Sequence, residues 1–185
     1  MNSSVEMFRD ASPDDADAII DLVQSAYRGD ASRRGWTTEA DLLDGQRIDR
    51  PVLLDLLGRE RTRVLLLESA GCLQACCELQ AMEGHAYFGM FSVRPDSQGR
   101  GIGHRVLVEA ERIAGVEWGC REMRMTVIDV RDELIAWYER RGYRRTGEYK
   151  PFPYGDERFG IPRRDDLRFE VLSRDLAPRR AARGP

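Results

Sequence analysis

A glycine-rich turn at residues 98–103, Gln-Gly-Arg-Gly-Ile-Gly, constrains this chain more than any other feature. It follows an apolar stretch at residues 87–93 that is typical of a strand, and it precedes Val106, Leu107 and Ala110, which repeat at helical spacing. Glycine permits the backbone conformations that bring several N–H groups close to one anion, and the dipole of the following helix adds partial positive charge. The order of strand, glycine turn and helix therefore predicts a phosphate-binding site, with Arg100 and Arg105 as nearby cations.

The turn differs from the two commonest phosphate-binding loops. No Gly-Lys-Ser/Thr follows the glycines, as it would in a Walker A loop. Gly99, Gly101 and Gly103 are spaced as G-x-G-x-G, whereas dinucleotide-binding proteins have G-x-G-x-x-G. From these six residues alone, a strand-to-helix turn that binds no ligand is the alternative to a phosphate site.

Size and charge restrict the class of protein. The 185 residues predict one domain, at residues 1–176, and a tail at residues 177–185 that we expect to be disordered because it lacks apolar periodicity. A net charge of −3 argues against nucleic acid binding. No apolar run reaches the length of a membrane span and the N-terminus has no signal-peptide pattern, so we expect a cytoplasmic protein that does not bind membranes. Four cysteines without paired spacing and two histidines predict no metal site.

Hydrophobic periodicity and turn residues predict alternating strands and helices. The predicted helices begin at Ser12, near Thr37 or Thr38, at Arg50, after the glycine turn, and at Asp129 or Asp132. They extend to about residues 27, 48, 57, 119 and 141, respectively. The predicted strands are residues 5–9, 64–68, 72–83, 87–93, 122–128, 143–149 and 167–172, and residues 150–164 are predicted to form a loop.

The segment at residues 93–103, Val-Arg-Pro-Asp-Ser-Gln-Gly-Arg-Gly-Ile-Gly, resembles the pyrophosphate loop of the GNAT acyltransferase superfamily, whose signature is Gln/Arg-x-x-Gly-x-Gly/Ala. The element order β-α-α-β-β-β-α-β-α-β-β is similar to that fold over about residues 5–175. The resemblance implies an α/β fold with a central mixed, mostly antiparallel sheet of six to seven strands flanked by helices. It implies acetyl-CoA as co-substrate, with its diphosphate on the loop and its pantetheine arm along the preceding strand. The implied cofactor-binding residues are Phe91, Ser92, Val93, Gln98, Gly99, Arg100, Gly101, Ile102, Gly103, His104, Arg131 and Tyr138.

A second motif lies at residues 137–143, Trp-Tyr-Glu-Arg-Arg-Gly-Tyr, and resembles the family signature Phe/Tyr-Tyr-x-x-x-Gly-Phe/Tyr. The matching position makes Tyr138 the implied general acid, because a phenol that stays protonated at neutral pH can donate to a departing thiolate. A core aromatic on an amphipathic helix is the alternative for Tyr138. Many family members have an Asn seven positions before the tyrosine, whereas this chain has Arg131, so that Asn contact is not carried over.

An N–H near Met90 or Phe91 is expected to polarise the thioester carbonyl.

The acceptor side is less determined by the sequence. An attacking amine must lose a proton, and Glu78, Glu83 and His85 are candidate bases, of which we take Glu78 as the working choice. Trp36, Glu39 and Tyr154 are the candidate acceptor-binding residues, since in this fold the acceptor lies between the first helices and the final hairpin loop. Together with Asp41 and Asp156, these side chains would suit a small cationic or amphipathic amine.

The predicted function is N-acetylation of a primary amine of a small molecule by direct attack in a ternary complex, without a covalent acyl-enzyme. The alternatives are a non-catalytic acyl-CoA-binding or interaction module on the same fold, and acetylation of a protein or peptide amine. A homodimer is common on this fold, although no sequence feature establishes one here.

Overall fold

A computed structural model describes residues 6–176 of the chain. Its strands are β1 (Glu6–Asp10), β2 (Leu43–Asp44), β3 (Thr62–Ser69), β4 (Cys72–Ala81), β5 (Ala86–Val93), β6 (Glu122–Ile128), β7 (Arg144–Pro151), β8 (Ile161–Pro162) and β9 (Arg168–Asp175). Its helices are α1 (Ala16–Tyr27), α2 (Gly29–Ser32), α3 (Arg50–Gly58), α4 (Ile102–Arg112) and α5 (Asp132–Glu139). None of the helices in this range is long and apolar enough to cross a membrane.

Seven of the strands form one sheet in the order β1-β3-β4-β5-β6-β9-β7. Every neighbouring pair is antiparallel except β5 and β6, which run parallel. The mixed, mostly antiparallel sheet of six to seven strands that the family resemblance implies is thereby confirmed. The two remaining strands, β2 and β8, pair with each other in a separate two-stranded sheet.

The two faces of the sheet bury separate cores because side chains alternate along each strand. On one face, Val64 and Leu66 of β3 pack with Ile19 of α1 and Leu53 of α3. On the other face, Leu65 and Leu67 pack with Val106 and Leu107 of α4 and Ile135 of α5. Helices therefore cover both faces, and the long apolar run of β3 is explained by burial on both sides.

The parallel pair β5 and β6 separates soon after it begins. Only Ala86 opposite Met123 and Tyr87 opposite Arg124 are paired, and both pairs lie at the start of the two strands. β5 also contains a bulge, because the ladder with β4 shifts register between Cys76 and Glu78. Met90, at this bulge, has a positive φ of 47°, which few non-glycine residues adopt. The strands diverge beyond these pairs and leave a cleft within the sheet.

Most predicted elements are present, with some exceptions. The helix predicted over residues 37–48 is wrong: this segment forms turns and the strand β2, because Leu43 packs with Ile128, Phe152 and Leu167. The strand β8, inside the predicted loop at residues 150–164, was not predicted. It forms because it pairs with β2, which is distant in the sequence. The predicted disordered tail at residues 177–185 lies outside the described residues.

Candidate active site

Two cavities open where β5 and β6 separate. Cavity A, of about 380 Å³, lies beside the glycine turn and is lined by Gln98, Gly99, Gly101, Gly103 and His104, among others. Cavity B, of about 650 Å³, lies between the strands and the segment that contains Phe152 and Phe159. The two cavities adjoin, because five residues line both: Tyr27, Phe91, Arg131, Leu134 and Tyr138. We refer to the pair of cavities as the cleft.

The glycine turn presents free N–H groups to cavity A. Gly99 and Gly101 have φ angles of +79° and +77°, in the region that glycine adopts without strain. The first backbone hydrogen bond of α4 runs from the Arg105 N–H to the Gly101 carbonyl oxygen (3.1 Å), which leaves the N–H groups of residues 102–104 without an acceptor in the helix. A Cβ on Gly103 would lie 3.2 Å from Cζ of Phe91. The turn therefore has the backbone geometry of an anion-binding site, and a side chain at position 103 would press against Phe91.

The backbone of β5 directs polar groups into the cleft. The Arg94 N–H donates to the Gln74 carbonyl oxygen of β4 (2.9 Å), and Ser92 lies in the same ladder. Successive residues of a strand point their N–H and C=O groups to opposite sides. The N–H and C=O groups of Phe91 and Val93 therefore face away from β4, toward the gap.

Two side chains hold this segment of β5 in place. The Tyr27 hydroxyl donates to the Phe91 carbonyl oxygen (2.5 Å), and burial raises the pKa of Tyr27 to about 12. The Gln98 side chain donates through Nε2 to the Val93 carbonyl oxygen (3.1 Å), and its Oε1 accepts from the Trp36 N–H (3.0 Å). Gln98 thus acts as a structural link between β5 and the segment after α2, in addition to lining cavity A.

Tyr138 lies at the junction of the two cavities on α5. Its ring is 4% exposed and makes edge contacts with Trp137 (5.1 Å between centroids) and Tyr143 (5.7 Å). Burial raises the pKa of Tyr138 well above its ordinary value, so the hydroxyl stays protonated at neutral pH. Within residues 6–176 this hydroxyl has no hydrogen-bond partner, and it is available to donate to a group in the cleft.

A buried charge cluster closes one wall of cavity B. The buried Glu39 carboxylate accepts hydrogen bonds from Arg28 (2.6 Å) and Arg131 (2.8 Å). Arg131 also donates to Thr37 Oγ1 (2.6 Å). Burial by itself would raise the pKa of Glu39, but the guanidinium groups of Arg131, Arg47 and Arg28 lower it overall. The carboxylate is therefore ionised and already paired.

The candidate bases occupy different places. Glu78 lines cavity B on β4, opposite Gly89 and beside the bulge of β5. Burial raises the pKa of Glu78, although Arg59 and Arg47 partly oppose the shift. Glu83 and His85 lie at the β4–β5 turn and line neither cavity. Glu78 is the one of the three that faces the cleft.

Several residues predicted at the cofactor site have side chains that do not line cavity A. Ser92 is buried and its hydroxyl donates to the Met90 carbonyl oxygen (3.2 Å), so its side chain supports the bulge. The Ile102 side chain belongs to the core, and the exposed Arg100 side chain does not line cavity A. Arg105 is paired with Glu6 of β1 (2.8 Å).

Two of the three predicted acceptor-binding residues do not line cavity B. Trp36 lines cavity A, with its ring 6.4 Å from that of Trp137. The Tyr154 hydroxyl accepts from the Leu167 N–H (2.7 Å) and thereby stabilises the segment before β9. Glu39 does line cavity B, as expected.

Sequence reasoning also missed residues that the cleft contains. Tyr27, Arg28, Arg47 and Trp137 line one or both cavities. Only Trp137 belongs to a recognisable motif, whereas the others come from α1 and the irregular segments that follow it. No cluster of three or more potential metal ligands occurs in the described part of the chain.

Comparison with solved structures finds similar folds. The ribosomal-protein-S18-alanine N-acetyltransferase from Escherichia coli is 17% identical with a TM-score of 0.65, over 96% of this chain and 99% of that chain. A mutant of spermidine N-acetyltransferase SpeG from Vibrio cholerae is 12% identical with a TM-score of 0.66, over 92% and 94%. The structure of yncA from Salmonella typhimurium with its cofactor acetyl-CoA is 17% identical with a TM-score of 0.67, over 95% and 96%. At these identities the likeness concerns the fold.

Comparison with curated protein sequences finds no match. The model of the Acetyltransferase (GNAT) family, by contrast, matches residues 17–143. This range is more than half of the chain, and it contains the glycine turn, the bulge of β5 and Tyr138. The chain therefore belongs to the GNAT acetyltransferase family.

Proposed function

We propose that the protein transfers the acetyl group of acetyl-CoA to a primary amine of a small molecule, by direct attack in a ternary complex. The observation that carries this proposal is the pair of adjoining cavities where β5 and β6 separate, with the glycine turn beside one cavity and Glu78 lining the other. When bound, acetyl-CoA supplies an acetyl group activated as a thioester. The relatives named above include acetyltransferases of a polyamine and of a protein, and the aromatic walls of cavity B favour a small molecule here.

The residues around cavity A fit acetyl-CoA. The N–H groups of residues 102–104 would bind the diphosphate together with the dipole of α4. The carbonyl oxygens of Phe91 and Val93 already accept from Tyr27 and Gln98, so the Val93 N–H would pair with the pantetheine arm and the Phe91 N–H is left for the thioester. The separation of β5 from β6 provides the space for that arm. It also leaves these N–H groups available, because a closed β5–β6 ladder would already have satisfied them.

Three groups at the junction would carry the chemistry. The Phe91 N–H would stabilise the negative charge that develops on the carbonyl oxygen. Glu78 would accept the proton that the attacking amine loses, directly or through one water molecule, and its raised pKa suits a base that works near neutral pH. Tyr138 would donate its proton to the departing sulfur, which its raised pKa keeps available.

The decisive experiment measures the release of free thiol from acetyl-CoA over a panel of amino acids, polyamines, aminoglycosides and peptide N-termini. We expect thiol release with at least one small amine and a rise in Tm on adding acetyl-CoA. At a hundred times its Kd, acetyl-CoA would stabilise the protein by about 2.7 kcal/mol. Binding of acetyl-CoA without turnover of any amine would contradict the enzyme and favour a non-catalytic acyl-CoA-binding module. Turnover of peptides alone would contradict the small-molecule acceptor.

Substitution of Tyr138 by Phe tests the acid separately. We expect Y138F to lower kcat by about a hundredfold or more, because general acid catalysis contributes on the order of 10² to 10⁴. The acetyl-CoA-dependent rise in Tm should stay as in the wild type, since the ring and its edge contacts are preserved. An unchanged kcat would remove the acid role from Tyr138 and leave the core-aromatic alternative.

A further inference from the structure

Arg47 differs from the other arginines that line cavity B. Arg28 and Arg131 are paired with Glu39, Arg59 is paired with Asp55, and Arg158 is paired with Asp156. Between residues 6 and 176, no carboxylate lies within 4.0 Å of the Arg47 guanidinium, and no hydrogen-bond acceptor contacts it. The carboxylates of Glu39 and Glu78 act on Arg47 only from beyond 4.0 Å, and a half-buried guanidinium without a direct partner is costly unless something pairs with it.

The position of Arg47 is fixed by its surroundings. Its guanidinium carbon lies 5.1 Å from the centroid of the Tyr27 ring, which is the distance of a cation–π contact. Its backbone N–H donates to Gln24 Oε1 of α1 (3.1 Å), and the next residue, Ile48, is buried in the core. The charge is therefore held at the wall of the cavity, against the same tyrosine that binds the Phe91 carbonyl oxygen.

Among the charged side chains that line cavity B, one carboxylate and one guanidinium have no direct partner of opposite charge. Of the three carboxylates that line cavity B, Glu39 and Asp55 are paired with arginines, whereas Glu78 has no cation within 4.0 Å among the described residues. Glu78 and Arg47 face the same cavity but do not contact each other. A ligand that carries both a positive and a negative group would satisfy both side chains at once.

We propose that the acceptor is an amino acid or a similar zwitterion, whose amine lies at Glu78 and whose anionic group is bound by Arg47. This proposal rests on the acetyl transfer proposed above and names its substrate class. It replaces the expectation of a cationic acceptor, because Glu39 and Asp156 are already neutralised by arginines and Asp41 is paired with Arg33 (2.7 Å). A second ammonium group in cavity B would lie among guanidinium groups without an anion of its own.

The test compares each amino acid with its carboxamide, which has the same side chain and no carboxylate. Binding to the protein in complex with CoA is measured by calorimetry, and turnover is measured by thiol release from acetyl-CoA. We expect acids to bind at least about tenfold more tightly than their amides. The amine of an amide is less basic and more of it is neutral at pH 7, so intrinsic reactivity favours the amide. A preference for acids in turnover would then originate in the site.

Variants of Arg47 identify the group responsible. R47Q should weaken acid binding about tenfold to a hundredfold, which is the range for a lost hydrogen bond to a charged group, and should leave amides unaffected. R47K should keep a weaker preference for acids, because an ammonium supplies the charge without the planar fork of guanidinium. R50Q is the matched control, since Arg50 is an exposed residue outside both cavities that is paired with Asp17.

The possible outcomes separate this proposal from the proposed function. Selective acid binding that R47Q abolishes, without thiol release from any amine, would support the anion site and contradict acetyl transfer. Thiol release with amides or polyamines at least as fast as with acids would support acetyl transfer and overturn the role of Arg47. Absence of binding by both acids and amides, or an acid preference that persists in R47Q, would also overturn it. If R47Q fails to fold, R47K and the wild-type comparison of acids with amides decide.

Discussion

Replacing Glu39 by Gln should strongly destabilise the protein, because Glu39 is a buried charged residue. The Glu39 carboxylate is the common acceptor for two buried cations, with Arg28 at 2.6 Å and Arg131 at 2.8 Å. The side chains of Glu39, Arg28 and Arg131 are 7%, 2% and 9% exposed, so water does not replace a lost partner. A glutamine keeps the shape of the side chain but leaves two adjacent buried guanidinium groups without a counter-charge.

The size of the effect follows from this arrangement. Each hydrogen bond between charged groups is worth roughly 1.5–3 kcal/mol, and breaking a buried ion pair by removing one partner costs about 3–5 kcal/mol. The amide oxygen of Gln still accepts one hydrogen bond, which places the expected loss in free energy of unfolding at about 3–5 kcal/mol. For a chain of this size, that corresponds to a decrease in Tm of roughly 6–20 °C.

Denaturant unfolding of the wild type and E39Q between pH 3 and pH 8 measures this loss. The folded-state pKa of Glu39 is lowered, so its stabilisation is present above the unfolded-state pKa, whose ordinary value is 4.5, and is lost as pH falls through the folded-state pKa. The difference between wild type and E39Q should be constant near neutral pH and should shrink below about pH 4.5. D166N, which removes an exposed partner of Arg164, should leave the midpoint unchanged. A loss below about 1 kcal/mol at pH 7 would refute the argument from burial.

Three further substitutions test the cleft. E78Q should lower kcat by about a hundredfold and remove the acidic limb of the pH–rate profile. The reason is that wild-type activity is lost as pH falls through the raised pKa of Glu78. An unchanged acidic limb would show that another group causes that limb. G103V should weaken acetyl-CoA binding, measured by calorimetry, by at least about tenfold while the fold is retained, because a Cβ at this position would lie only 3.2 Å from the Phe91 ring. V108A, on the exposed side of α4, is the control. Y27F should lower the free energy of unfolding by about 0.5–1.5 kcal/mol and raise KM for acetyl-CoA, because the Phe91 carbonyl oxygen loses its donor. Equal KM values for the variant and the wild type would show that this hydrogen bond does not position β5.

Local chemistry made the geometry of the glycine turn and of the helix that bears Tyr138 predictable. Glycines at positions 99 and 101 adopt positive φ angles, and the start of a helix always leaves N–H groups unpaired, so their sequence pattern carries the geometry with it. The helix that bears Tyr138 is equally local, since acidic residues lie in its first turn and Gly142 follows its end with a φ of +90°. These features require few contacts from distant parts of the chain.

The acceptor end could not be predicted in the same way. Residues 37–48 contain helix-forming residues, yet Leu43 forms a strand because it meets β8, more than a hundred positions later in the chain. Tyr154 looked like a pocket residue, but its hydroxyl stabilises the segment before β9. Pairing across such distances overrides local propensity, and nothing in the sequence near these residues indicates it.

The sequence by itself determined the order along the chain of the strands in the main sheet, the glycine turn and the tyrosine after it, because each depends on backbone conformation or on periodicity within a few residues. Only the tertiary structure decided which charges remain unpaired in the cleft. Arg28 and Arg131 meet Glu39 from separate segments, whereas Arg47 and Glu78 face the same cavity without contact. Whether a charged side chain is neutralised depends on which distant residues fold against it, and that is why the proposed acceptor class rests on the tertiary structure.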